Sequence, residues 1–357
     1  MKLSDWGWDE GWAQAFAAHA AAGLAPARVV RQDRGAWEIQ AEEGSRPAEA
    51  TGRFRRAAEE GKEPLPAVGD WVAVDLRPGH DRAGIEGVLG RRSWLSRGAA
   101  GRATREQVLA ANVDVVFMVC ALGAGRGFNL RRLERLLAMV RAGGAEGAVV
   151  LSKMDLDGEW EERLRDAERL AAGVPALATS ATEGIGLEGI AALLAGGRTG
   201  VLLGPSGSGK SELTNALLGE RRQETRPVRK SDARGRHATT RRELFRLPAG
   251  GLLIDTAGLR EYQPWGAEGE LEGVFGEVAE LAAGCRFRDC RHDGEPGCAV
   301  QRALGDGSLD WERFEHYLRL RREQAHQEAR RSAPANRTEK ERWKKISKMQ
   351  KELKRDW

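Results

Sequence analysis

Gly204-Pro205-Ser206-Gly207-Ser208-Gly209-Lys210-Ser211 meets the pattern G-x-x-x-x-G-K-[ST] at every fixed position. Val201-Leu202-Leu203 ahead of it reads as a short buried strand. Glu212 to Leu218 behind it reads as a helix with Leu213, Ala216 and Leu217 on one face. The glycines let backbone N–H groups close around phosphate oxygens, and the helix start adds the positive end of its dipole. In such a loop Lys210 reaches the β- and γ-phosphates and the Ser211 hydroxyl holds Mg²⁺. Gly204 to Glu212 are therefore the candidate phosphate-binding residues. The loop by itself does not separate ATP from GTP.

The surrounding sequence narrows the choice. Asn112 to Val119 is a near-continuous apolar strand, as in a parallel sheet covered on both faces. A helix follows with Leu130, Leu133, Leu136, Leu137 and Val140 on one stripe. Strand Gly147 to Leu151, a helix from about Gly158 to Ala171, strand Ala176 to Thr179 and helix Leu187 to Leu194 come next. Strands alternating with helices mean an α/β domain. Ser152-Lys153-Met154-Asp155 follows a strand and resembles the N-K-x-D motif of GTPases, with Ser for Asn. The Asp155 carboxylate can accept from both N1–H and the exocyclic amine of guanine, whereas adenine offers an acceptor at N1. Ser180-Ala181 resembles the S-A-x loop that closes over guanine. Gly251 to Gly258 is an apolar strand ending in D-x-x-G, with Asp255 suited to Mg²⁺ and Gly258 to the γ-phosphate. Gly235-Arg236-His237-Ala238-Thr239-Thr240 reads as the first switch loop, its Thr239 and Thr240 hydroxyls suited to Mg²⁺. In an ordinary small GTPase the two base-recognition loops come last. Here they come first, so the domain is circularly permuted.

The chain has 357 residues, 41% hydrophobic and 31% charged, with a net charge of +4. Arg319 to Trp357 holds 14 Lys/Arg against 6 Asp/Glu, a net +8, so the remainder sums to −4. No apolar run approaches the length of a membrane span, and the N-terminus does not read as a secretory signal. Asp9 to Gly23 reads as an amphipathic helix with Trp12, Ala15, Phe16 and His19 on a face. Short strands are expected at Ala27–Val30, Ala36–Gln40, Thr51–Arg55, Asp70–Asp75 and Ile85–Leu89, which suggests a small β-barrel of the OB type. Arg53, Arg55, Arg56, Arg91 and Arg92 fit a nucleic-acid face or a plain charged surface equally well. Cys285, Cys290, His292 and Cys298, spaced C-x4-C-x-H-x5-C, make a complete tetrahedral set for one structural Zn²⁺ in a reducing compartment. Cys120, inside an apolar strand, reads as core. Leu309 to Glu328 reads as a helix with Trp311, Phe314 and Leu318 on one side. The basic tail has Trp343, Ile346, Met349 and Leu353 at helical spacing.

Taken together these residues resemble the ribosome small-subunit-dependent GTPase A (RsgA/YjeQ) family. The resemblance is carried by Gly235-Arg236-His237 with Thr239-Thr240, by Leu253 to Thr256, by Cys285 to Cys290, by His292 with Glu295 to Cys298, and by Asn112-Val113-Asp114. It covers nearly the whole chain. It implies a multidomain protein: a helical extension (1–25), an OB-fold β-barrel (26–97), a circularly permuted α/β P-loop GTPase domain (106–268), a mostly helical zinc-binding domain (269–328) and a basic tail (329–357). It implies a cytoplasmic GTP phosphohydrolase, using GTP/GDP and Mg²⁺, acting late in small ribosomal subunit maturation. Such a protein binds the subunit through rRNA, helps release an assembly factor, and is stimulated by the particle. A monomer that makes no membrane contact is expected. The departures are Ser152 for Asn, Ala257 where Pro is common, Ala238 for Thr, and the N-terminal extension. The residue after D-x-x-G is Leu259, which cannot orient a water. His237 is the nearest candidate for that task, with Lys210 as the other catalytic residue. Two other classes fit parts of the chain. One is an ATP-dependent P-loop enzyme. The other is a zinc-stabilised rRNA-binding assembly factor whose nucleotide domain is only scaffold.

Overall fold

A computed structural model of the chain describes residues 2–33, 36–76, 79–98, 106–123, 128–171, 173–205, 207–220, 242–256, 274–323 and 325. They fall in two compact units. One holds the residues up to 97 and from 108 to 256; the other is chiefly 274–323.

The first unit opens with a 3-10 turn, Leu3–Trp6, and helix α1, Glu10–Ala21. Asp9 caps α1: its carboxylate accepts from the Trp12 N–H at 2.8 Å, which satisfies a donor the first turn leaves open. Trp12 and Phe16 are buried and His19 is half-buried, whereas Ala15 is exposed. Ala15 lies at the edge of that stripe, where a methyl group is too short to be covered. The aromatic side chains pack on Trp71 and Leu89.

Five strands then close a barrel: β1 Ala25–Asp33, β2 Ala36–Ala41, β3 Gly44–Ala50, β4 Trp71–Asp75 and β5 Ala83–Val88. The order is β1-β2-β3-β5-β4, and β4 returns to β1. Ala27, Val29, Ile39, Val72, Val74 and Ile85 fill the interior. The strand expected at Thr51 to Arg55 is instead the start of a helix. The Thr51 hydroxyl accepts from the Phe54 N–H at 3.4 Å and caps α2, Gly52–Glu59. The third strand lies just before it, over a small and polar stretch containing Pro47. That composition carries little β signal.

The remaining strands are β6 Trp94–Gly98 and β7 Glu106–Ala111, which pair with each other, then β8 Val115–Ala121, β9 Glu146–Ser152, β10 Ala176–Thr179, β11 Thr199–Leu203, β12 Arg242–Arg246 and β13 Leu252–Thr256. β8 is flanked by β9 and β11, both parallel to it, and its residues Val115 to Cys120 are all buried. That is why it reads as one apolar run. Helix α3, Leu130–Ala142, buries Leu133, Leu136, Leu137 and Val140, with Leu130 left exposed. Helix α4 is Trp160–Leu170, α5 Leu187–Leu193 and α6 Lys210–Leu218. Ile190, Leu194, Leu213 and Leu218 pack with Phe117, Val150 and Leu253 in one core.

Barrel and α/β sheet share a single ladder, β10-β9-β8-β11-β13-β12-β1-β2-β3-β5-β4. β1 is the common strand. Its first half pairs with β4 and its second half with β12, and a bulge lies between Val29 and Arg31. A bulge bends a strand and increases its twist, so one strand can serve two sheets. Arg28, 2% exposed, pins the joint. Its guanidinium donates to Thr199 Oγ1 at 2.9 Å, to the carbonyls of Asn112 at 3.2 Å and Gly69 at 3.3 Å, and to the Trp6 carbonyl. Burial pulls Arg28 down to about 10, against the fields of Asp114 and Asp70.

The second unit has α7, Gly276–Ala283, α8, Ala299–Gly305, and a helical stretch 311–323. Phe275, Val278, Val300, Leu309, Phe314 and Leu320 are buried. Trp311, expected on the packed side with Phe314, does meet the Phe314 ring at 6.3 Å but is 56% exposed, and Leu318 is only half-buried. Phe314 also stacks on Tyr317, and Tyr317 meets Phe275 edge-on. The helix expected in the basic tail lies outside the described residues. Among the described residues no helix is long and apolar enough to cross a membrane.

Candidate functional site

The parallel strands β8, β9, β10, β11 and β13 all end at one edge of the sheet. Between β8 and β11 the chain's direction of winding reverses, which opens a crevice at the strand ends. The Gly204 to Ser211 loop sits there, between β11 and α6. A Cβ on Gly204 would lie 2.4 Å from the Val119 carbonyl oxygen, so only glycine fits. Gly209, at φ 84, turns the chain into α6 in a conformation that side chains disfavour. Lys210 is 8% exposed and its ammonium donates to the carbonyls of Gly204 at 2.7 Å and Pro205 at 2.8 Å. Burial pulls it down to about 8, opposed by the fields of Asp255 and Glu212. Ser211 and Glu212 follow in the first helical turn, half-buried.

Asp255 comes to the same edge on β13, which pairs with β11 and places Asp255 beside Leu202. It is 8% exposed. Burial pushes its carboxyl up, Lys210 pulls it down, and Glu243 on β12 pushes it up again. Asp255 thus lies in the field of the buried ammonium, at the sheet edge where α6 carries Ser211. A buried carboxylate and a helix-start hydroxyl are hard oxygen ligands of the kind Mg²⁺ takes.

The base-recognition candidates reach the phosphate loop directly. Ser152, 2% exposed, donates its hydroxyl to the Ser208 carbonyl at 2.7 Å. Lys153 has a left-handed backbone, φ 62, and its ammonium donates to the Gly207 carbonyl at 2.9 Å. Positive φ in a non-glycine residue is uncommon and costs on the order of 1 kcal/mol; here it turns the Lys153 stem across the loop. Met154 is half-buried and Asp155 exposed in the following turn. Ser180, buried, follows β10, and its backbone pairs in both directions with Ile185 at 3.0 Å, which fixes the Ser180-Ala181 turn. Ser206, His237, Thr239, Thr240 and Gly258 lie outside the described residues.

The cysteine cluster belongs to the second unit. Ligand atoms of Cys285, Cys290, His292 and Cys298 all lie within 4.8 Å of one another. Cys285 Sγ is 3.7 Å from His292 Nδ1 and 3.9 Å from Cys298 Sγ, and Cys298 Sγ is 3.5 Å from His292 Nδ1. Tetrahedral zinc with ordinary bond lengths separates two sulfurs by about 3.8 Å and a sulfur from a nitrogen by about 3.6 Å. The donor set therefore fits zinc in size as well as in kind. Burial lowers the His292 imidazole, Arg321 lowers it further, and a neutral ring is the form that ligates. The Glu295 carboxylate accepts from the N–H groups of Arg291 at 2.8 Å and Asp293 at 2.7 Å, bracing the turn. Cys298 caps α8 by accepting from the Gln301 N–H at 3.4 Å.

Several arginines noted in the sequence are committed elsewhere. Arg91 grips the buried Asp70 at 2.8 and 2.7 Å. Arg92 grips Asp9 and lies 4.1 Å over the Trp12 ring. Arg53 pairs with Glu86 at 2.9 Å. Arg55 and Arg56 stay exposed on α2. Cys120 is buried in β8, where burial pushes its thiol up to about 12, as suits a core residue. Sequence reasoning missed β12 and with it Glu243. The signal was present: Arg242 to Arg246 and Leu252 to Thr256 flank the turn Pro248-Ala249-Gly250-Gly251, as in a hairpin.

The RsgA GTPase family profile matches residues 88–265. A protein of Opitutus terrae named small ribosomal subunit biogenesis GTPase RsgA is 46% identical, covering 97% of this chain and 96% of its own. One of the same name from Streptomyces coelicolor is 44% identical, covering 90% and 86%. Among solved structures, YjeQ from Thermotoga maritima is similar with a TM-score of 0.60 at 25% identity, covering 83% of this chain and 97% of that one. YloQ, described as a circularly permuted GTPase, has a TM-score of 0.57 at 22% identity, covering 85% and 96%; it speaks to the fold alone.

Proposed function

Because the chain belongs to the RsgA GTPase family, and so is a GTP hydrolase, we propose that it acts in late maturation of the small ribosomal subunit, cleaving GTP to GDP and phosphate when docked there. Membership brings guanine nucleotide and Mg²⁺ with it. The observation that best supports the nucleotide site is the double tie between loops: Ser152 to the Ser208 carbonyl and Lys153 to the Gly207 carbonyl. It sets Asp155 at a fixed distance from the phosphate loop, as reading base and phosphate of one nucleotide requires. In this reading Gly204 to Glu212 hold the phosphates, Lys153 to Asp155 with Ser180 and Ala181 hold guanine, and Ser152 serves the guanine loop by tying it to the phosphate loop. Ser211, Asp255, Thr239 and Thr240 serve Mg²⁺, and Gly258 senses the γ-phosphate. Leu259 cannot orient the attacking water, so hydrolysis by the protein alone is slow. Docking on the subunit brings His237 of the first switch loop to that water. Cys285, Cys290, His292 and Cys298 hold one structural zinc. Partners are the subunit's rRNA and an assembly factor whose release is coupled to hydrolysis. The protein works in the cytoplasm as a monomer.

Competition for a fluorescent GDP tests the site. GTP displaces it at far lower concentration than ATP, and Asp155→Asn shifts preference toward xanthine nucleotides, because an amide donates to the 2-oxo group. Equal displacement by ATP overturns the reading.

A further inference from the structure

Glu243 and Asp255 stand directly opposite each other on β12 and β13. Opposed residues of an antiparallel pair point to the same face with Cβ atoms about 5 Å apart, and like charges placed so destabilise the pairing. The row continues across β1. Arg31 lies opposite Glu243, and Glu38 lies opposite Arg31. Arg31 reaches Glu38 at 3.6 Å; among the described residues it makes no ion pair with Glu243. Asp255 is nine-tenths buried, and the forces acting on its carboxylate are burial and the fields of Lys210 and Glu243, with no hydrogen-bond donor among the described residues. Asp255 and Glu243 thus stand together at the end of this hairpin, and the Lys210 ammonium that faces Asp255 also lies in the field of Glu212, so carboxylates outnumber the ammonium there. A plain GTPase site needs Asp255 there; it does not need a second acid across the ladder.

We propose that Glu243 is a positioning residue for the Mg²⁺ ion of the nucleotide site, its carboxylate adding the second negative charge that draws a divalent cation to Asp255. The proposal rests on the nucleotide-site reading above. A unit charge about 6 Å from a divalent ion, at the dielectric of water, changes its affinity about tenfold.

The test is release of fluorescent GDP from the full chain across a Mg²⁺ titration. Glu243→Gln keeps size and hydrogen bonding and removes the charge. It is expected to need about tenfold more Mg²⁺ for half-maximal slowing of release, with release in EDTA unchanged. Glu243→Asp stays within about threefold of the original protein. Arg31→Ala removes the cation opposite Glu243 and lowers the Mg²⁺ midpoint. It gives an independent readout should Glu243→Gln fold poorly. An unchanged midpoint in Glu243→Gln, release quickened equally with and without Mg²⁺, or an unchanged or raised midpoint in Arg31→Ala overturns the proposal. If release from the original protein ignores Mg²⁺ altogether, the nucleotide-site reading falls first and takes the proposal with it.

Discussion

The hydroxyl of Ser152 shows how a departure from a motif can be read from its partner. The sequence alone makes Ser152 a shortened Asn and so a weakened base contact. In the structure its hydroxyl is spent on the Ser208 carbonyl, in a setting where both residues are almost fully buried. Its part is to hold two loops together, and a short side chain is enough for that. Ser152→Ala leaves a buried carbonyl without its donor, a loss of about 1–3 kcal/mol. Part of that appears as weaker nucleotide binding. GDP affinity is expected to fall several-fold while the preference for guanine over adenine is kept, because Asp155 is untouched. Titration with GDP and ADP checks both halves; loss of base choice would return Ser152 to a base-reading role.

Helix starts and metal turns differ in how much of their signal lies in the local sequence. The Cys-rich turn was fully legible, because four ligands at fixed spacing need no knowledge of the rest of the fold. Cys290→Ser removes one ligand from an otherwise closed set. It is expected to lower the unfolding temperature of the second unit and leave GDP affinity unchanged, and about one equivalent of zinc in the original protein should fall toward none by elemental analysis. Thr51 was not legible. Followed by apolar and basic residues it looks like a strand start as much as a helix cap, and the cap is decided by a hydrogen bond to Phe54 that no spacing reveals. Asp9 reads from the sequence as the first residue of the amphipathic helix, whereas it stands just before α1, caps it and grips Arg92. The Arg92 hydrogen bond is the main cause of its lowered carboxyl, about 2 against an ordinary 3.8. The stabilisation this gives is complete above the ordinary value and is lost as pH falls toward 2. Both side chains are half-exposed, so the ion pair itself adds little. The cap contributes on the order of 1 kcal/mol. Asp9→Ala should therefore cost about that much at neutral pH by denaturant unfolding, and the difference should narrow as pH falls from 4 toward 2.

The first unit joins its barrel to its nucleotide sheet through one strand and one arginine. The phosphate loop, the base-recognition and D-x-x-G motifs and each strand or helix could be read locally, since each is a pattern within a few residues, and the permuted order follows from listing those motifs along the chain. The joint could not. Arg28 touches segments near residues 6, 69, 112 and 199, and nothing in its neighbourhood along the chain announces this. The same holds for β1 pairing with β12, which links Arg31 and Gln32 to Glu243 and Arg242 across some 210 residues of sequence. Long-range pairing is decided by packing and closure, which a linear reading does not contain. β12 begins where the segment carrying His237, Thr239 and Thr240 ends, and it is hydrogen-bonded to the barrel, so a partner that grips the barrel is one strand away from that segment.

On the proposed function, GTP hydrolysis by this protein is switched on by the small ribosomal subunit. The direct measurement is phosphate release from GTP by the full chain, alone and with purified small subunits, with large subunits as the control. Release is expected to be slow with the protein alone, stimulated at least about tenfold by small subunits only, and absent from Lys210→Ala in either condition. His237→Ala is expected to keep GTP affinity and lose most of the stimulation. Equal rates with and without small subunits, or equal stimulation by large ones, would contradict it.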